Sequence, residues 1–154
     1  MSISNTLATA ALASVKTALD GGRLYLFAGT VPADADDALN MGTTHTQIAE
    51  FTLNGDGITG LTFASPSGTG MSKTLAEVWQ GLIDFDGFAS APGPLTPTFW
   101  RFGASGDNCR GAAAGPRLQG TAGAPYSDLP CSPQTDNGTN TLTVDTFAVV
   151  IEAA

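Results

Sequence analysis

Histidine is almost missing from this chain of 154 residues, with one copy, and cysteine occurs only twice. Lysine and arginine number 6 together against 14 aspartates and glutamates, a formal charge of -8. Each scarcity excludes something. So few cations on an acidic chain would be repelled by nucleic-acid phosphates and anionic lipid headgroups, which argues against direct binding to either. One histidine leaves little room for a catalytic triad or a histidine-based metal centre. No apolar run approaches the roughly 18 residues of a membrane-spanning helix. The opening MSISNTLATAALAS has no basic leader and carries Lys16 where an apolar stretch should continue, so it is expected to belong to the fold and not to a secretory signal.

Charged residues make up 13% of the chain, where about 25% is usual. The polar surface must therefore be built from small neutral side chains, and 20 Thr, 10 Ser and 19 Gly supply them. The length suits one domain over 1–154, with enough buried surface for one real core.

Residues 5–20 carry Leu7, Ala8, Ala11, Leu12, Val15 and Leu19 on one helical face, with Ser4 or Asn5 as N-cap and Gly21-Gly22 as the stop. The run RLYLFA from Arg23 is apolar on both faces, as a strand covered on two sides requires. Pro32 with Asp34, Asp36 and Asp37 suggests a single helical turn within residues 31–39. Residues 47–53 alternate, the turn Asn54-Gly55-Asp56-Gly57 follows, and residues 61–64 then suggest the second arm of a hairpin. Further strands are expected in EVWQGLIDF from Glu77, TFWRFG from Thr98 and RLQG from Arg117. At the end Leu142, Val144, Phe147, Val149 and Ile151 suggest one strand with a β-bulge near Asp145. Together these predict a mainly β fold, an antiparallel β-sandwich or barrel-like domain with one N-terminal amphipathic α-helix.

Chemical motifs are weak. SGTGMSKT at residues 67–74 imitates a phosphate-binding loop, but Ser72 stands where glycine must precede the lysine, so a surface turn is expected. Asp84-Phe85-Asp86-Gly87 is a fragment of a calcium loop without the later bidentate acid, and reads as a hairpin turn. Asp34, Asp36 and Asp37 read as a solvated helix start. His45 has no G-x-S-x-G nucleophile to serve and reads as a surface or strand-edge residue. Neither a catalytic residue nor a metal or cofactor is expected. Cys109 and Cys131 bracket a Gly- and Pro-rich segment; a disulfide between them would contribute about 3 kcal/mol in the chain-entropy model, and two reduced thiols are the equal alternative. Of Tyr25, Phe27, Trp79, Phe99, Trp100 and Phe102, most belong to a core and one or two could serve a contact surface.

The order of an Ala-rich helix, GGRLYLFAGTVPADADDAL at residues 21–39, AEVWQG at 76–81, TFWRFG at 98–103, RLQGTAG at 117–123 and a β-rich C-terminus resembles a group of small structural proteins of tailed bacteriophages. That resemblance runs over most of the chain and its motifs are structural, not chemical. It implies a virion component made in the host cytoplasm, first of all a capsid decoration (cement) protein. Such a protein would coat the head as a small oligomer or multi-copy lattice and clamp neighbouring major capsid subunits. A tail-associated protein is the rival implication. By analogy with other decoration proteins, the segment around Ser2, Ile3 and Ser4 would touch the shell. Outside the resemblance, exposed aromatics on a β-sandwich would also suit a carbohydrate- or receptor-binding module.

Overall fold

The computed structural model describes residues 3–86 and 93–151. Helix α1 spans Asn5–Leu19: the Ser4 hydroxyl accepts from the Leu7 amide at 3.2 Å, and Gly21, at φ 81, turns the chain away at the other end. Ala8, Leu12 and Leu19 are buried and Val15 half-buried, a narrower stripe than the sequence suggests, since Leu7 and Ala11 are exposed.

Among the described residues nine strands follow: β1 (Arg23–Gly29), β2 (His45–Leu53), β3 (Gly70–Ser72), β4 (Trp79–Asp86), β5 (Phe99–Gly103), β6 (Arg117–Gly123), β7 (Leu129–Pro130), β8 (Thr141–Val144) and β9 (Ala148–Val150). Seven form one sheet in the order β7-β6-β5-β1-β2-β4-β8, curled into a half-barrel, while β3 and β9 make a small second sheet. All neighbours are antiparallel except β6 and β7. Register shifts between Leu26 and Phe27 and between Gln47 and Ala49 mark the irregularities that help bend the sheet. The mainly β, barrel-like architecture with one N-terminal helix is thus the one the sequence predicts.

Alternation along the strands divides the interior in two. Leu24, Leu26, Phe51, Trp79, Ile83, Trp100 and Phe102 face one way, into a core closed by Leu12 and Leu19 of α1 and by Phe63, Met71 and Phe147. Tyr25, Phe27 and Phe99 face the other way and pack with Leu39 and Cys109.

Three local expectations fail, each for a physical reason. Residues 31–39 hold one hydrogen-bonded turn, from the Asp37 N–H to the Asp34 carbonyl at 3.2 Å, but it does not take helical form. Asp34 and Asp37 instead use their carboxylates on backbone amides, with Asp36 N–H donating to Asp34 Oδ1 at 3.0 Å and Asp34 N–H to Asp37 Oδ2 at 3.1 Å, the competition that makes aspartate a turn former. Residues 61–64 do not pair with β2, whose two edges are filled by β1 and β4; Leu61 bridges to Gly22 and Phe63 to Lys73. The final apolar run is not one bulged strand. β8 ends the large sheet, the chain crosses at Asp145 and Thr146, and β9 joins β3.

Candidate functional site

The outer face of β1, β5 and β6 holds most of the charge chemistry, and it is closed. Arg101 is fully buried. Its guanidinium donates to the carbonyls of Asp37 (2.8 Å), Cys109 (3.0 Å) and Asp34 (3.0 Å) and to Gln119 Oε1 (2.9 Å). Burial, reinforced by the nearby Arg117 charge, lowers the Arg101 pKa from its ordinary value. Arg117 forms a bidentate pair with Asp107 at 2.6 and 2.7 Å and also donates to the carbonyls of Ala35 and Gly111. Burial alone would raise the Asp107 carboxyl, but the Arg117 guanidinium and the Cys109 amide hold it below the ordinary carboxylate range. Two arginines thereby fasten the loops 31–39 and 104–116 over the sheet. Toward Arg101, Asp34 and Asp37 of the first loop act through their main-chain oxygens, while their carboxylates bond amides within the loop.

The other basic side chains are engaged as well. Lys16 pairs with Asp20, Arg23 with Glu50 and Arg110 with Asp86, while Lys73 is buried with its ammonium on the Glu77 carbonyl. All six cations of the chain thus have internal partners.

The accessible feature lies on the opposite side, where the half-barrel is open. A cleft runs between its two edge strands, β7 and β8. One part, about 320 Å³, has Leu26 and Phe51 at its base and Leu129 and Leu142 on its sides. The next, about 350 Å³, is lined by Trp100, Phe147, Lys73 and Leu75. Asp128, Asp145 and Thr146 line both, so the two parts are continuous. Both aspartates are exposed; Asp128 Oδ2 accepts from the Thr121 amide and hydroxyl, and neither forms an ion pair among the described residues. Trp100 is 7% exposed, and its indole N–H is the one buried side-chain polar group among the described residues without a hydrogen-bond partner. It packs edge-on to Phe147, with centroids 5.0 Å apart, and flat against Gly120, where a Cβ would fall 2.5 Å from the ring.

A second, shallower feature adjoins the β7 end. It is an open, mostly apolar groove of about 970 Å³ between Pro97, Ala124, Pro125 and Pro133, with fully exposed Tyr126 at its rim.

The structure disperses the residues singled out from the sequence. Cys109 and Cys131 are not bridged. Both thiols are free, and they belong to opposite faces of the sheet: Cys109 packs with Tyr25, Phe27 and Phe99, Cys131 against the helix-side core. Burial pushes the Cys109 thiol up to about 12. Ser4 is the N-cap of α1 and Ile3 is half-buried, while Ser2 lies outside the described residues. His45 Nε2 lies 2.9 Å from the Thr30 carbonyl and its Nδ1 takes the Asn40 amide at 3.1 Å, so the ring ties the two ends of the β1–β2 connection together at the start of β2. In the phosphate-loop imitation Ser67 and Gly70 close a turn, and Lys73, just after β3, is buried against Glu77 and Trp79. Asp86 is taken by Arg110, and Gly87 lies outside the described residues. Among the described residues, no three metal-ligating side chains converge.

Sequence reasoning missed Arg101, Asp128, Asp145 and Tyr126. Arg101 carried a usable signal, because a charged residue sharing a strand face with Phe99 and flanked by Trp100 and Phe102 points to a buried, satisfied charge. The aspartates carried none, since they meet only when β7 and β8 become the rims of one cleft. No protein-family model, curated protein or solved structure matches this chain.

Proposed function

We propose that the protein is a structural component of a tailed-bacteriophage virion, a capsid decoration protein that binds the outer head surface in many copies and stabilises the major capsid lattice. The observation that carries this reading is the open apolar groove beside β7, with Tyr126 standing fully exposed at its rim on a Pro-rich loop. A rigid aromatic beside an apolar depression is the side-chain chemistry of a protein contact. A lattice multiplies such modest contacts, because neighbouring sites raise one another's effective concentration. The neutral Thr- and Ala-rich surface and the internal pairing of all six cations suit a coat that stays off the packaged genome. A tail-associated component would use the same contact chemistry. The carbohydrate-module reading loses its main support, because Trp79 and Trp100 are both buried.

The test is to image virions by cryo-electron microscopy and to compare particles with and without the protein for survival on heating and chelation. Density over capsomer boundaries, lost heat resistance on deletion and reduced occupancy for Tyr126→Ala are expected. Wild-type resistance in particles lacking the protein would overturn the clamping role, and density confined to the tail would move the assignment there.

A further inference from the structure

We propose that the cleft between β7 and β8 is a docking site for an extended, lysine- or arginine-bearing segment of a different protein, which adds a strand to β8 and presents its cation to Asp128 and Asp145. The inference takes from the preceding reading only that the chain works by binding protein.

Three independent features converge on this occupant. First, β8 is an open edge: among the described residues it pairs only with β4. The Ile83 amide donates to the Asn140 carbonyl, and antiparallel alternation from that bond leaves the N–H and C=O of Thr141 and Thr143 directed away from β4. No Lys, Pro or bulge within TLTV blocks this edge, although such devices commonly protect exposed strands. An incoming extended segment would satisfy those groups, while Leu142 and Val144 keep their side chains toward the core. Second, the aspartates at the junction of the two parts of the cleft have no cationic partner among the described residues, and Lys73, the one cation lining the cleft, is held by Glu77. A cation on an incoming segment would therefore find both carboxylates free to pair with it. A second copy of this chain is a poor source, because each of its six cations already has an internal partner. Third, Trp100 lines the same cleft, and its buried indole N–H lacks an acceptor among the described residues, so a segment that shifts the ring by a small amount could supply a peptide carbonyl to it.

The probe is a hexapeptide strand alternating valine with lysine, joined to Ala154 by a Gly/Ser linker of about a dozen residues, whose reach of ~20 Å gives a local concentration in the millimolar range. Partners to it are the same fusion with glutamate for lysine, the unfused chain, and the unfused chain with maltotetraose. The readouts are hydrogen exchange at Thr141 and Thr143 and the Trp100 indole resonance. The lysine fusion is expected to slow exchange at both threonines at least about fivefold and to move the indole N–H downfield. The glutamate fusion should do neither. Asp128→Asn with Asp145→Asn should cut the protection about two- to fivefold, and Thr143→Pro should abolish the indole shift while leaving the bonds to β4. Equal protection by the glutamate strand, or none by the lysine strand, overturns the proposal. Protection in the unfused chain that grows with its concentration would assign the edge to a second copy, and an indole response to maltotetraose alone would assign the cleft to sugar. Either result also overturns it. None of these outcomes depends on where the protein sits in a particle.

Discussion

The two faces of the large sheet solve the same problem with different chemistry. On the helix side Phe63, Trp79, Phe102 and Phe147 form an aromatic cluster with neighbouring centroids 5.0–6.3 Å apart, closed by α1 and the small sheet. Burial of apolar area holds it together without directional demands. On the outer side Tyr25, Phe27 and Phe99 give only a small apolar patch, and the cover consists of two irregular loops. Loops bring main-chain carbonyls that must be satisfied once water is removed, and Arg101 and Arg117 satisfy them. The outer face therefore rests on a buried ion pair, whereas the inner face rests on apolar packing with one carboxylate, Glu77, taking the Trp79 indole N–H at 2.7 Å.

The largest expected effects set the two faces against each other. Phe63→Ala on the inner face and Asp107→Ala on the outer face should each cost about 3–5 kcal/mol, the first by opening a cavity and the second by leaving Arg117 buried without its counter-ion. Acid titration of thermal stability separates them. Because the Asp107 carboxyl is held below its ordinary value of 3.8, its contribution is complete above that value and disappears as pH falls through the lower folded-state value. The wild type and Phe63→Ala should both lose stability on this acid limb, and Asp107→Ala should lose that component. Parallel acid limbs in all three proteins would remove the electrostatic half of the comparison.

Arg101→Met tests whether the outer face needs donors or only bulk. Methionine fills much of the space but leaves the carbonyls of Asp37 and Cys109 and the Gln119 Oε1 without their donor, so a loss of about 2–4 kcal/mol is expected in denaturant unfolding, with faster amide exchange in residues 31–39. A change under about 0.5 kcal/mol would mean that water replaces the guanidinium freely. Gly120→Ala probes the edge between β6 and the cleft. The added Cβ would press on the Trp100 ring, and about 1–3 kcal/mol should be lost together with a shift in Trp100 fluorescence.

The smallest effect concerns the thiols. At pH 8 a disulfide-exchange reagent should modify Cys131 first, because Cys109 is fully buried and its pKa is raised to about 12, and Cys109 should react only as the protein unfolds. Cys131→Ser should change stability by less than about 0.5 kcal/mol. Two thiols reacting together in the folded protein would show that the outer loops open far more readily than the Arg101 network implies.

Much of the fold was legible because it rests on local patterns. The 3.6-residue spacing and caps gave α1, and alternation gave β1, β2, β4, β5 and β6 to within a few residues. Where the reading failed, a distant group outweighed a local preference. Asp34 and Asp37 turn their carboxylates onto backbone amides of residues 31–39 while Arg101 holds the Asp37 carbonyl, and β4 takes the edge of β2 that residues 61–64 would have occupied. The candidate site was hardly legible at all. Asp128 and Asp145 are 17 positions apart in sequence and unremarkable in their surroundings, and only the curl of the sheet makes them line one cleft.

What the sequence determined by itself is the character of the molecule: acidic, poor in cations, and folded as short strands with one helix, because composition and periodicity act residue by residue. Which strands neighbour which, that both thiols stay apart on opposite faces, that every cation is used internally, and that an edge and two carboxylates are left open were decided only by tertiary structure. Those outcomes depend on contacts between segments far apart in the chain, where burial makes each polar group find a partner and leaves the unmatched ones facing the cleft.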